Sequence, residues 1–189
     1  MEQLKRRIMQ DGLIKDGNIV QVDRFLNHQL DITLLQAIAK EIYERFNEFN
    51  INKIVTIEAS GIAIAAITAQ YFNNIPVVFA KKKAANQDAD IYQRKVFSYT
   101  KKTQYYATIS KRYLNNQDRV LIIDDFMATG EAMYGLIELC EQANAKLCGC
   151  CSIIEKGFQK GGDKLRKDGY PYQSLAIIDK IDENGITFR

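Results

Sequence analysis

Apolar residues recur along this 189-residue chain with two different spacings, which predict helices and strands. In residues 33–46 they recur every three or four positions, the spacing of a helix that Asp31 or Thr33 could cap. Residues 62–72 and 131–142 are also typical of helices. Short, largely apolar runs predict strands at Lys53–Glu58, Val77–Ala80, Tyr105–Ser110, Arg119–Asp124, Leu147–Ile154, Ser174–Ile178 and Ile186–Phe188.

The predicted strands and helices alternate along the chain. Residues 53–80 and 119–154 each follow the order strand, helix, strand, which is a βαβ unit. This alternation favours an α/β fold with a mostly parallel central sheet flanked by helices, and the length favours a single domain over residues 1–189. Ligands of such sheets bind beyond the carboxyl ends of the strands. The loops that follow residues 53–58 and 119–124 are therefore expected to share one crevice.

The segment VLIIDDFMATGEA, residues 120–132, is the main candidate for a functional site. Its apolar run ends in Asp124 and Asp125, and two adjacent carboxylates need hydrogen-bond donors or cations to offset burial and repulsion. A ribose offers two neighbouring hydroxyl donors. The loop that follows leads into a helix, and the free N–H groups and positive dipole end of that helix favour an anion. Thr129 adds a hydroxyl donor, and Gly130 permits close approach of the anion to the backbone. The segment predicts a site for a phosphorylated ribose.

Two further features favour additional anionic groups on the ligand. Ala59-Ser60-Gly61 follows a predicted strand with small residues whose N–H groups suit an anion. Residues 81–112 contain nine basic and two acidic side chains, a net +7 against +3 for the whole chain. A solvated, lysine-rich surface is the alternative for that stretch. For the acidic pair, the alternatives are a plain helix cap and the Mg²⁺ site of a receiver domain. In a receiver domain the acids would follow the first strand, whereas here they come at residue 124.

Composition narrows the class of protein. The chain is 47% hydrophobic and 26% charged, without a run of about 18 apolar residues or a signal-peptide core, so we expect no membrane partner and a cytoplasmic location. A net charge of +3 argues against an obligate nucleic-acid partner. The four cysteines lack the paired spacing of a zinc site and are expected to be buried free thiols. They are Cys140, Cys148, Cys150 and Cys151.

The residues LIIDDFMATGEA resemble the 5-phosphoribosyl-1-pyrophosphate (PRPP) motif of the type I phosphoribosyltransferases, a hydrophobic strand, two acids and a phosphate loop with threonine and glycine. Many members continue with a second glycine and a hydroxyl residue, where this chain has Glu131 and Ala132. That ending resembles the branch of the family that acts on xanthine. The resemblance extends over essentially the full length through VDRFLNHQ (22–29), TIEASGI (56–62), VVFAKK (77–82), SYTK (98–101) and IEKGFQ (154–159).

This resemblance implies the type I phosphoribosyltransferase fold, a mostly parallel central sheet flanked by helices with a small hood built from the N- and C-terminal parts. It implies transfer of the 5-phosphoribosyl group from PRPP to xanthine, which gives xanthosine 5′-monophosphate (XMP) and pyrophosphate in purine salvage. The enzyme would be a homodimer. Mg²⁺ would accompany the pyrophosphate, and the resemblance assigns no protein side chain as its ligand.

The resemblance also implies roles for individual residues. Asp124 and Asp125 would hold the ribose hydroxyls as the catalytic pair. The rest of PRPP would be bound by Ala128, Thr129, Gly130, Glu131 and Ala132 at the 5-phosphate, and by Ala59, Ser60 and Gly61 with Lys81 or Lys82 at the pyrophosphate. A mobile loop, roughly residues 81–112, would close over the site, with Ser98 and Tyr99 as its serine-aromatic pair. Closure would exclude the water that could hydrolyse PRPP.

The base pocket implied by the resemblance consists of Val20, Asn27, Lys156 and Phe158. Xanthine is acidic for a purine and carries two oxo groups, so a lysine ammonium such as Lys156 suits it. A surface lysine and a core aromatic remain the alternatives for Lys156 and Phe158. The functional alternatives are a hypoxanthine-guanine or adenine phosphoribosyltransferase, and a PRPP-sensing regulator that binds DNA. Residues 1–32 are too short and not basic enough for a DNA-binding extension.

Overall fold

The computed structural model describes residues 1–15, 19–84, 89–98, 103–183 and 185–189. In these ranges the helices are Glu2–Asp11 (α1), Ile32–Phe46 (α2), Ser60–Tyr71 (α3), Glu131–Gln142 (α4) and Gly161–Lys167 (α5). The strands are Leu13–Lys15 (β1), Ile19–Gln21 (β2), Lys53–Ile57 (β3), Val77–Lys83 (β4), Ile91–Ser98 (β5), Thr103–Ser110 (β6), Arg119–Met127 (β7), Lys146–Lys156 (β8), Tyr172–Asp182 (β9) and Gly185–Phe188 (β10).

An eight-stranded sheet organises the chain in the order β10-β9-β8-β7-β3-β4-β6-β5. The central strands β9, β8, β7, β3 and β4 run parallel to one another, whereas β10, β6 and β5 pair in antiparallel fashion at the two edges. The predicted α/β class with a mostly parallel sheet is therefore confirmed. Both predicted βαβ units are present, as β3-α3-β4 and β7-α4-β8.

Helices cover both faces of this sheet. On one face α2 and α3 bury Leu35, Ile38 and Ile64 in a core cluster. Asp31 caps α2, since its Oδ1 accepts a hydrogen bond from the backbone N–H of Leu34 at 3.0 Å, which resolves the choice between Asp31 and Thr33. On the other face α4 packs Leu136 with residues of β3, β5, β6 and β7. The four cysteines are buried free thiols, as predicted.

The stretch 81–112, which was expected to carry a mobile loop and one strand at Tyr105–Ser110, consists largely of two strands. β5 and β6 form an antiparallel hairpin whose register runs from Ile91↔Ser110 to Ser98↔Thr103. Its apolar side chains, such as Val96 and Ile109, are buried against α4 and the sheet, a long-range contact that the weak local periodicity did not indicate. Ser98 ends β5, and Tyr99 lies outside the described residues. The closing motion of this segment stays a prediction.

The N- and C-terminal parts lie together at one side of the sheet. The terminal amine of Met1 donates a hydrogen bond to the carbonyl oxygen of Leu175 in β9 at 2.6 Å, and the ammonium of Lys5 lies 5.8 Å from the ring centroid of Phe188. β1 and β2 form a separate two-stranded sheet, and residues 23–27 form one turn of π-helix. These N-terminal elements were not predicted. None of the described helices has the length and apolarity to cross a membrane.

Candidate active site

Asp124 and Asp125 lie near the carboxyl end of β7. The strand was predicted to end at Asp124. It continues to Met127, because Asp124, Phe126 and Met127 remain paired with β8. Alternate residues of a strand point to opposite faces. Accordingly Asp124 is buried, with 6% of its surface exposed, whereas Asp125 is half-buried. The backbone N–H of Asp125 donates to Oδ1 of Asp124 at 3.0 Å.

Burial and the neighbouring carboxylate of Asp125 raise the pKa of Asp124 well above its ordinary value of 3.8. The ammonium of Lys82 opposes this shift, because a nearby positive charge favours the ionised acid. The N–H of Asp125 and the ammonium of Lys82 therefore offset the burial of this carboxylate only in part. Such a group is suited to a ligand that brings its own hydroxyl donors or cation.

The predicted phosphate loop, Ala128–Ala132, joins β7 to α4. Gly130 is the N-cap of α4 and has φ 94°, a left-handed conformation that favours glycine. The loop borders a cavity of about 140 Å³, whose other lining residues include Phe126 and Met127 of β7 and Val96, Phe97 and Tyr105 of the hairpin. The free N–H groups at the start of α4 therefore face a small, partly enclosed space, as an anion site requires.

Tyr105 is a site residue that the sequence did not indicate. Burial, with the carboxylates of Asp124 and Glu131, raises the pKa of its hydroxyl to about 12. The hydroxyl thus remains protonated at neutral pH and can donate a hydrogen bond. Tyr105 lay within a predicted strand, but only the folding of the β5–β6 hairpin over the phosphate loop brings it to the cavity.

The second predicted anion loop, Ala59–Gly61, lies where β3 passes into α3. The Glu58–Ala59 peptide bond is cis. The carboxylate of Glu58 accepts a hydrogen bond from the backbone N–H of Lys82 at 2.5 Å, which ties this loop to the end of β4. The carboxyl ends of β3, β4 and β7 thus lie side by side at one edge of the sheet, and a crevice shared by their loops stays a prediction.

The two candidate lysines at the end of β4 point in different directions. Lys82 places its ammonium 5.4 Å from the ring centroid of Tyr105 and lies close enough to influence Asp124. Lys81 instead lines a separate groove together with Phe79 and Tyr113. The alternation of side chains along a strand explains this separation. Lys82 is therefore the cation that the structure brings to the acidic pair.

Lys156 lies at the end of β8, where its ammonium is 5.4 Å from the ring centroid of Phe126. It is half-buried, and burial lowers its pKa below the ordinary 10.5. No ion pair joins it to a carboxylate in the described part of the chain, and both a contact with the base and the role of a surface lysine remain compatible with its half-buried position. Phe158 is half-buried against the core, and both a packing and a stacking role remain compatible with its position.

The two N-terminal candidates for the base pocket lie in different environments. Asn27 ends the π-helical turn, and its Oδ1 is buried without a hydrogen-bond partner in the described ranges. An unpaired buried acceptor is costly and suits a ligand donor. Val20 is buried in the core, with 4% of its surface exposed.

Comparison with known proteins agrees with this geometry. The profile of the phosphoribosyl transferase domain matches residues 21–189. The chain is 53% identical to xanthine phosphoribosyltransferase from Alkaliphilus metalliredigens, over 100% of this chain and 94% of that protein. It is 51% identical to xanthine phosphoribosyltransferase 2 from Clostridium botulinum, over the whole of both chains.

Solved structures show the same fold. The adenine phosphoribosyltransferase of Trypanosoma brucei, crystallised with AMP, pyrophosphate and ribose 5-phosphate, aligns with a TM-score of 0.77 over 96% of this chain and 82% of its own, at 18% identity. That of Giardia lamblia aligns with a TM-score of 0.67 over 77% of this chain and 80% of its own, at 28% identity.

Proposed function

Because the chain belongs to the phosphoribosyl transferase family, as predicted, we propose that it transfers the 5-phosphoribosyl group of PRPP to xanthine and releases XMP and pyrophosphate in purine salvage. The observation that carries the proposal is the placement of Asp124 and Asp125 near the carboxyl end of β7, two residues before the phosphate loop. The choice of xanthine is supported by the full-length identity of 51–53% to xanthine phosphoribosyltransferases.

In this proposal Asp124 and Asp125 accept hydrogen bonds from the two ribose hydroxyls. Ionised carboxylates are pure acceptors, and a vicinal diol supplies two donors, one for each acid. The ribose hydroxyls would add donors to the one backbone N–H from which the buried Asp124 accepts. Binding would then favour the ionised acid, whose negative charge lies beside the sugar.

The 5-phosphate occupies the cavity bordered by Ala128–Ala132. Backbone N–H groups and the dipole of α4 stabilise its charge, and Thr129 and Tyr105 can add hydroxyl donors. The side chain of Glu131 is exposed, so this residue would contribute its N–H group. The pyrophosphate lies at Ala59–Gly61 beside Lys82, on the other side of the acidic pair.

Mg²⁺ prefers oxygen ligands and usually retains waters and substrate phosphates in its coordination shell. The hard carboxylate oxygens of Asp124 and Asp125 beside the pyrophosphate position fit such an ion. We propose that Mg²⁺ enters with PRPP and, when bound, neutralises charge on the leaving group.

The base lies at Lys156, with Asn27 and Phe158 beside it and Val20 behind it. The ammonium of Lys156 would donate to a purine oxo group, and the unpaired Oδ1 of Asn27 would accept from a ring N–H. Among the described residues, no carboxylate pairs with Lys156 and would compete with the base. These contacts favour a purine with oxo groups over adenine, which has none.

The reaction is a displacement at C1′ of the ribose. The bond from C1′ to the pyrophosphate oxygen breaks, the bond from C1′ to a base nitrogen forms, and that nitrogen loses its proton to the departing pyrophosphate or to water. Positive charge develops on the sugar ring and negative charge on pyrophosphate. Asp124 and Asp125 would stabilise the positive charge on the ring. Lys82 and the N–H groups of Ala59–Gly61 would stabilise the negative charge on pyrophosphate.

We also propose a cytoplasmic homodimer. Buried, unpaired cysteines are typical of proteins in reducing compartments. A groove of about 460 Å³ offers a contact surface with apolar residues, at which Phe79 is 38% and Tyr113 is 60% exposed, beside the basic residues Lys53, Lys81 and Arg112. Sedimentation equilibrium tests this assembly: a dimer mass is expected, and a monomer mass at micromolar concentration contradicts it.

The activity is tested by incubating the purified chain with PRPP, Mg²⁺ and xanthine. We expect XMP and pyrophosphate to appear in equal amounts, with no loss of PRPP when xanthine is omitted. PRPP consumption that does not depend on a base would contradict the transferase assignment.

A further inference from the structure

Gly161, the first residue of α5, touches the phosphate loop from outside the ligand cavity. Its backbone N–H donates to the carbonyl oxygen of Ala128 at 3.0 Å. A Cβ atom at position 161 would lie 2.4 Å from that oxygen, 2.6 Å from the carbonyl carbon of Thr129 and 2.7 Å from the nitrogen of Gly130. All three are backbone atoms of the loop, so a side chain at Gly161 would displace the loop itself.

The same segment is fixed on its other side by a buried carboxylate. Glu155 is fully buried in β8, next to Lys156, and accepts hydrogen bonds from Arg166 at 2.5 and 3.0 Å and from Ser174 at 2.5 Å. Gly162 packs against this carboxylate so closely that a Cβ atom there would lie 2.3 Å from Oε1 of Glu155. Gly161 and Gly162 therefore lie between the strand that carries the base-binding lysine and the phosphate loop.

We propose that Gly161 is a positioning residue that sets the phosphate loop at a defined distance from the base-binding end of β8. The nucleotide product spans both places, with its phosphate at Ala128–Ala132 and its base at Lys156. This inference rests on the proposed function, because it takes those two places as the ends of one ligand. A rigid contact through Gly161 holds them in the relative position that the reaction requires.

The test replaces Gly161 by alanine in the full chain. The added carbon displaces the phosphate loop, so the KM for PRPP should rise about tenfold or more, since small misplacements of binding groups cost that much. The KM for xanthine at saturating PRPP should change less than about twofold, because Lys156 keeps its place. An unchanged KM for PRPP in a folded Gly161→Ala variant overturns the proposal.

Gly169→Ala is the matched control. Gly169 has φ 84° with no atom within 4 Å of an added Cβ, so alanine there is strained but touches nothing. It should lower stability without changing the KM for PRPP. An equal rise of that KM in both variants would mean that general destabilisation, and not the loop contact, is responsible, and would overturn the proposal.

Hydrogen exchange on the unmodified chain keeps the proposal testable if Gly161→Ala does not fold. Binding of PRPP with Mg²⁺, in the absence of a base, should slow exchange in the peptide that contains Gly161, because its N–H donates to the loop that PRPP immobilises. Unchanged exchange overturns the proposal. Failure of the proposed function is distinguishable, since the chain would then bind PRPP and protect Gly161 but form no XMP.

Discussion

The backbone N–H of Asp125 donates to Oδ1 of Asp124 at 3.0 Å, so these two neighbouring acids are in direct contact although their environments differ. Asp124 is buried and Asp125 is half-buried. A buried carboxyl with a raised pKa is unfavourable for the fold at neutral pH but suited to a ligand with hydroxyl donors. Stability and function should therefore oppose each other at this position.

Asp124→Asn should raise the Tm at pH 7 by a few degrees while it abolishes turnover. Between the ordinary pKa of 3.8 and the raised pKa of the folded state, the folded chain binds more protons than the unfolded chain. Stability therefore falls as pH rises through that window, and the amide, which does not ionise, avoids this loss. Thermal melts of both proteins across that range measure the effect. A lower Tm for Asp124→Asn at pH 7 contradicts it, and Asp125→Asn at the half-buried position is the matched control.

Asp124→Asn combined with Asp125→Asn should abolish both turnover and tight binding of PRPP, because both acceptors for the ribose diol lose their charge. Circular dichroism should show a retained fold. Isothermal titration with PRPP and Mg²⁺ measures the binding. Near-normal affinity for PRPP in this double variant would falsify the ribose assignment.

Lys156→Ala should raise the KM for xanthine about tenfold or more, since a hydrogen bond from a charged donor contributes about 1.5–3 kcal/mol. The KM for PRPP should change much less. Steady-state kinetics with each substrate varied in turn separates the two. Lys164→Ala is the control. It removes a lysine of α5 that lies over the ring of Tyr134 in α4, and it should leave both KM values unchanged. Equal increases in both KM values for Lys156→Ala would argue against a contact with the base.

Tyr105→Phe should raise the KM for PRPP about threefold to tenfold, because it removes one neutral donor worth about 1 kcal/mol but keeps the ring. The raised pKa of about 12 means that the hydroxyl is protonated throughout the working pH range, so the effect should not depend on pH between 6 and 9. Tyr106→Phe, one position along β6, is the control. A Tyr105→Phe variant with the unmodified KM would exclude a contact between this hydroxyl and PRPP.

Local patterns predicted those parts of the fold that local interactions determine. α4 spans Glu131–Gln142 as predicted, because its apolar repeat and the loop glycine at its start are both visible in the sequence. β7 was predicted too short, since its last residues depend on pairing with β8, more than 25 residues away. β5 was missed for a similar reason: Val96 is stabilised by packing against distant elements.

The residues of the candidate site likewise divide into those that the sequence indicates and those that only the tertiary fold brings together. The Asp-Asp pair and the loop after it stand out because their residue types are unusual at the end of an apolar run. Tyr105 and Gly161 could not be found, because each reaches the phosphate loop only through the tertiary fold. The sequence likewise did not decide whether Lys81 or Lys82 belongs to the site. Their side chains leave β4 in different directions, and that of Lys82 lies near Asp124.

The central claim is that this chain joins PRPP to xanthine in preference to other purines. The most direct measurement supplies PRPP and Mg²⁺ with equal concentrations of xanthine, guanine, hypoxanthine and adenine in one vessel and quantifies the four nucleotide monophosphates by chromatography. We predict that XMP forms fastest and predominates at early times. Predominance of AMP, IMP or GMP would contradict the account.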